Sequence, residues 1–111
     1  MAYQLVNVAA SKEGYAFAML SPASTGSSLS SVAADLIAVD TRSGELVAVA
    51  RNATTIVGGW GGISVSEDSA TLYATFYTPD CRIVVDGFRF TPPSPAAGVP
   101  AFFSRVMRKI L

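Results

Sequence analysis

Apolar runs of strand length, alternating with polar residues most clearly in ATLYATFY, are interrupted at short intervals by clusters of glycine, serine, proline and aspartate. That pattern predicts strands joined by tight turns from Ala2 to Phe90. AYQLVNVAA (2–10) and GYAFAML (14–20) have strand length and β-branched or aromatic content, and SKEG between them supplies Gly14 for a positive φ, so the two form a predicted hairpin. SPASTGSSLSS (21–31) is too rich in serine to serve a core and reads as a surface loop. LIAVD (36–40) and ELVAVAR (45–51), joined by TRSG, form the clearest hairpin. GISVS, ATLYATFY and CRIVVDGFRF follow, separated by EDS and TPD. In ATLYATFY, Leu72, Ala74 and Phe76 fall on one side, and Tyr73, Thr75 and Tyr77 on the other. The first set suits a core, and the aromatic but polar second set suits an interface.

The pattern changes after Phe90. TPPSPAAGVP (91–100) has four prolines in ten residues and ends the strand region as a stiff linker. In AFFSRVMRKIL (101–111) the apolar residues Phe102, Phe103, Val106, Met107, Ile110 and Leu111 recur at helical spacing, opposite Ser104, Arg105, Arg108 and Lys109. This predicts a short, basic, amphipathic helix. At about 11 residues it is marginal alone and has to dock, on its own sheet, in a partner's groove or, as the least favoured reading, on an anionic membrane, so a membrane is not an expected partner. The expected fold is therefore all-β, an antiparallel, hairpin-rich sandwich or barrel-like domain over 1–91, a proline-rich linker over 92–100 and a C-terminal helix over 101–111.

Composition sharpens this picture. Half of the 111 residues are apolar and 14% are charged, against roughly a quarter charged in ordinary soluble domains. So neutral a surface points to burial against a partner, most simply a second copy or the other subunits of an assembly. The formal charge of zero divides unevenly, with eight acids and four bases in residues 1–86 and four bases and no acid after them. A nucleic-acid binder carries its basic face across the folded body, so nucleic acid is not an expected partner. The single cysteine, Cys81, allows no intrachain disulfide, and its expected place is a small core position at the start of a strand. No basic n-region, long apolar h-region or run of about 18 apolar residues is present, which predicts a soluble chain with neither a signal peptide nor a transmembrane segment, cytoplasmic or particle-associated.

Candidate chemistry is sparse. The chain has no histidine, which removes the commonest metal ligand and general base, and neither a GxSxG elbow nor an SxxK motif. No catalytic, metal or cofactor site is expected. Asp35, Asp40, Glu67, Asp68, Asp80 and Asp86 follow no calcium-loop spacing and read as residues of turns and strand ends. Asn52-Ala53-Thr54 matches a glycosylation sequon, a signal short enough to arise by chance. Trp60, set between Gly58-Gly59 and Gly61-Gly62, reads either as an open stacking platform or as a cover for the core edge beside a bulge. The candidate interface comprises Trp60, Tyr73, Tyr77, Phe102, Phe103, Val106, Met107, Ile110 and Leu111.

From Asp35 to Gly87, the order LIAVDTRSGELVAVA, GGWGGISVSEDSATLYATF and RIVVDG resembles one repeat of an NHL or lactonase-type β-propeller, through Asp40, Gly44, Gly61, Gly62, Glu67, Asp68, Leu72 and Tyr73. The resemblance implies a four-stranded blade. A propeller needs four or more of these, and 111 residues supply at most two, so either several chains build one or the likeness reflects the general grammar of antiparallel hairpins. The expected function is that of a non-enzymatic structural or interaction protein, a homo-oligomer or an accessory subunit of a larger particle such as a phage capsid or tail. The alternative is a small ligand- or carbohydrate-binding β module, propeller-like or lectin-like.

Overall fold

A computed structural model describes residues 3–11, 13–22, 31–57, 61–68, 70–77 and 80–111. Eight strands follow in order: β1 (Tyr3–Ala10), β2 (Tyr15–Pro22), β3 (Ser31–Asp40), β4 (Leu46–Val57), β5 (Gly61–Val65), β6 (Thr71–Tyr77), β7 (Ile83–Thr91) and β8 (Phe102–Ile110). They form two four-stranded antiparallel meanders, sheet A with order β1-β2-β3-β4 and sheet B with order β5-β6-β7-β8. The all-β expectation holds, with two sheets packed face to face; β1 lies closest to β5, and β4 lies against β6 and β8. The segment that resembles a propeller repeat, 35–87, runs from β3 into β7 and so draws strands from both sheets.

Alternation decides which residues enter the core. Phe17 and Met19 of β2 pair with Ala38 and Leu36 of β3, and all four point at sheet B. From the other side come Leu72, Ala74 and Phe76 of β6, the set expected from the sequence, with Val84 and Phe88 of β7. Small alanines at Ala34, Ala38, Ala48 and Ala74 let large side chains interdigitate. At one end Tyr15 and Phe17 of sheet A meet Phe90 and Phe103 of sheet B, with ring centroids 5.0 to 6.0 Å apart in tilted and edge-on arrangements.

The turns follow from local chemistry. Gly14 (φ 88°) and Gly44 (φ 75°) take the left-handed conformation that the β1–β2 and β3–β4 connections require. Asp40 accepts hydrogen bonds from the backbone N–H groups of Arg42 (2.8 Å) and Ser43 (3.4 Å), which closes the TRSG turn and holds its carboxyl below the usual carboxylate range, the Arg42 N–H being the main cause. Asp68 accepts from the Ser66 hydroxyl (2.6 Å) and the Ala70 N–H (3.0 Å), with the same consequence. Ser21 and Pro22, expected in a surface loop, instead end β2, and Ser21 is fully buried.

The C-terminal helix is not present. Residues 102–110 form β8, paired along β7 from Val84↔Ile110 to Thr91↔Phe102. The apolar doublets Phe102-Phe103, Val106-Met107 and Ile110-Leu111 recur every four residues and imitate a helical stripe. In a strand each doublet places one residue on each face, and the extra residue Val106, a bulge between the pairs Gly87↔Met107 and Phe88↔Arg105, resets the alternation midway. Pairing wins because β7 offers a continuous row of backbone partners, whereas an 11-residue helix supplies little stability of its own. The proline-rich segment is correspondingly compact. Pro95–Ala97 form a 3₁₀ turn, Gly98 (φ 68°) reverses the chain, and Ser94 and Val99 exchange backbone hydrogen bonds of 2.8 and 3.1 Å, so the segment closes a β7–β8 hairpin and does not extend away from it.

Candidate interaction surfaces

Asp86 sits in mid-strand on β7, fully buried, and not at a strand end as its sequence context suggested. Its partner on β8 is Arg108, whose Nε and Nη2 donate to Oδ1 (2.7 Å) and Oδ2 (2.9 Å) in a bidentate pair. Thr54 on β4 donates its hydroxyl to Oδ2 at 3.1 Å across the interface between the sheets. Hydrogen bonding to this carboxylate raises Arg108 above the usual arginine range, against the opposing effect of desolvation. One carboxylate therefore joins three strands and both sheets. The carboxylate is itself fully buried with both oxygens engaged, an arrangement that fixes the edge strand β8 in register.

The outer face of sheet B carries four of the nine interface residues expected from the sequence, Tyr73, Tyr77, Phe102 and Met107. Tyr73, Gly87 and Met107 are directly paired across β6, β7 and β8. A Cβ at position 87 would lie 2.6 Å from Met107 Cγ and 3.5 Å from Tyr73 Cε1, so the missing side chain is the space into which Met107 folds toward Tyr73. Tyr77, half exposed, is paired with Ile83 at the other end of the same face. Phe102, paired with Thr91 at the opposite end of this face, points outward as well, whereas Phe103 turns into the core against Phe17 and Phe90. Val106, Ile110 and Leu111 are exposed on or beyond the edge strand. Tyr73 and Met107 are thus brought together, Phe103 is a core residue, and Trp60, with Gly58 and Gly59, lies outside the described residues.

Gly61 and Gly62, described on β5, line an open cavity of about 280 Å³ with Thr75, Phe76, Tyr77 and Ile83. Its walls are apolar apart from two hydroxyls and backbone groups, which suits a nonpolar or CH-rich surface.

Sequence reasoning placed no interface residue on the outer face of sheet A. Leu5 (61% exposed), Val8 (52%), Leu46 (57%) and Val49 (43%) stand on it, beside the partly covered Leu20 and Ile37. The signal was present: LIAVD and ELVAVAR are apolar at nearly every position, and that pattern marks a strand covered on both faces. Asp35 and Arg51 supply the charges of this face. Asp35 accepts the Asn52 N–H at 2.8 Å and lies 3.6 Å from Arg51, spanning a bulge in which Asn52 adopts φ 53°. The carboxylate thereby satisfies an N–H that the bulge removes from the ladder.

Cys81 is exposed, in the turn before β7 and with φ 64°, and not in the core position expected of it. Among the described residues no three His, Cys, Asp or Glu side chains converge into a metal-binding group, and no helix is long and apolar enough to cross a membrane. The chain matches no protein-family model, curated protein or solved structure.

Proposed function

We propose that the chain is a non-enzymatic structural or interaction module that works as a homo-oligomer or as an accessory subunit of a larger particle, of the type that forms phage capsids or tails. The observation that carries this reading is the apolar character of the exposed sheet surfaces, with Leu5, Val8, Leu46 and Val49 on sheet A and Tyr77, Phe102 and Met107 on sheet B. A free antiparallel sandwich keeps polar residues on its outer faces, and a face rich in leucine and valine is stable in water only when covered. The low proportion of charge supports the same reading. Sedimentation velocity over a concentration series tests it. A sedimentation coefficient that rises with concentration is expected, and a constant value for an 11.5 kDa monomer contradicts self-assembly.

The cavity beside Gly61, Gly62 and Tyr77 favours a second reading, a small ligand- or carbohydrate-binding module. Tyr77 offers a ring face for stacking, and the glycines allow close approach. Under this reading a panel of mono- and disaccharides titrated against the fluorescence of the single tryptophan gives saturable binding, lost in Tyr77→Ala with assembly intact.

A further inference from the structure

We infer that the outer face of sheet A is a self-complementary docking surface whose occupant is a second copy of this chain, sheet A against sheet A. The inference rests on the interaction-module reading and specifies its interface.

Three observations select the occupant. The first is charge. Within its described strands this face carries Asp35 and Arg51, already paired with each other, so covering it buries no cation or anion without a partner nearby. Sheet B presents Arg89 and Lys109 on its outer face, neither in an ion pair among the described residues, along with Thr71, Thr75 and Ser104. Stacking sheet A on sheet B would desolvate these cations against aliphatic side chains, whereas stacking sheet A on itself does not.

The second observation is area. Four strands about 4.8 Å apart, with roughly eight residues each at about 3.3 Å, cover on the order of 500 Å². Two copies then bury about 1,000 Å², the lower bound of a specific interface. The third is shape. The small residues Ala16 and Ala18, paired with Val39 and Ile37, keep the middle of the face low. At its β4 side Leu20, Asp35, Ile37, Leu46, Val49 and Arg51 surround a concavity of about 200 Å³, which an aliphatic side chain of the second copy can fill. A two-fold axis uses each such feature twice and closes the assembly at two copies.

Light scattering coupled to size exclusion tests this on the full chain, on Val49→Glu and Val8→Lys at opposite sides of the face, and on Arg89→Glu as a control on sheet B. Both face positions are exposed, so the variants are expected to keep the far-ultraviolet circular dichroism of the parent, and either one alone suffices if the other misfolds. The parent is expected at twice 11.5 kDa, with association weakened by ~30-fold or more in each face variant and unchanged in Arg89→Glu. If the parent self-associates and folded face variants do so equally, the sheet A interface is overturned while self-assembly stands. Loss of association in Arg89→Glu alone moves the interface to sheet B and likewise overturns it. A parent that is monomeric at about 100 µM overturns both the interface and the self-assembly reading.

Discussion

Asp86 shows how one residue can set the position of a whole strand. A fully buried carboxylate is costly unless it is paired and hydrogen-bonded, and here Arg108 and Thr54 together supply three bonds. The guanidinium retains access to water, its side chain 43% exposed, which weakens the attraction relative to a fully buried pair. Arg108→Ala leaves the carboxylate buried with the Thr54 hydroxyl, and the expected cost is about 2–3 kcal/mol in urea unfolding. A cost under about 0.5 kcal/mol contradicts the role assigned to the pair. Gly87 makes a second test at the same scale. Gly87→Ala forces Met107 to move, with an expected loss of about 1–3 kcal/mol, and a double-mutant cycle with Met107→Ala is expected to recover part of it. Strict additivity in that cycle would show that the close approach does not matter. Neither residue's importance was legible in the sequence, because Asp86 in IVVDGF resembles any aspartate-glycine turn and only the register of β7 against β8 identifies the partner of each.

At the scale of elements, the hairpins were legible and the tail was not. β3–β4 and β5–β6 follow directly from turn chemistry, signalled by Asp40 and Gly44 in the first and Asp68 in the second, and β7 from the apolar run after TPD. The strand β8 was hidden because a bulge in a strand with two apolar faces produces the same four-residue recurrence as a helix. Its exposure of apolar side chains at an edge is moderated by Arg105, Arg108 and Lys109, charges of the type that discourages edge-to-edge aggregation. Ending the chain at Phe90 therefore removes a structural strand along with Phe103, and the expected product is unfolded or aggregated by circular dichroism; a soluble, native-like truncated chain would contradict this. The turns also carry a pH dependence. The folded-state pKa values of Asp40 and Asp68 are depressed, so their contribution to stability is complete above the ordinary aspartate value of about 3.9 and is lost as pH falls through the lower folded values. Asp40→Asn is expected to flatten part of that acid limb in thermal melts between about pH 4 and 2, and an unchanged limb would contradict it.

For the whole molecule, the sequence shows an apolar, charge-poor chain, and the fold shows which apolar residues stay exposed. The expected interface lay on the tail and the tyrosine face. The structure instead uses Phe103 in the core, pins Arg108 to Asp86, and exposes Leu5, Val8, Leu46 and Val49 on a face of sheet A that the sequence did not mark. That surface could not be assigned from sequence because a strand covered on both faces looks the same whether its second cover comes from its own chain or from another. The most direct measurement is small-angle X-ray scattering of the full chain over a dilution series. Face-to-face pairing requires forward scattering that approaches twice 11.5 kDa at high concentration, with a radius of gyration well above the 14.2 Å of one copy. Forward scattering for 11.5 kDa and a radius near 14.2 Å at every concentration would contradict self-assembly through sheet A.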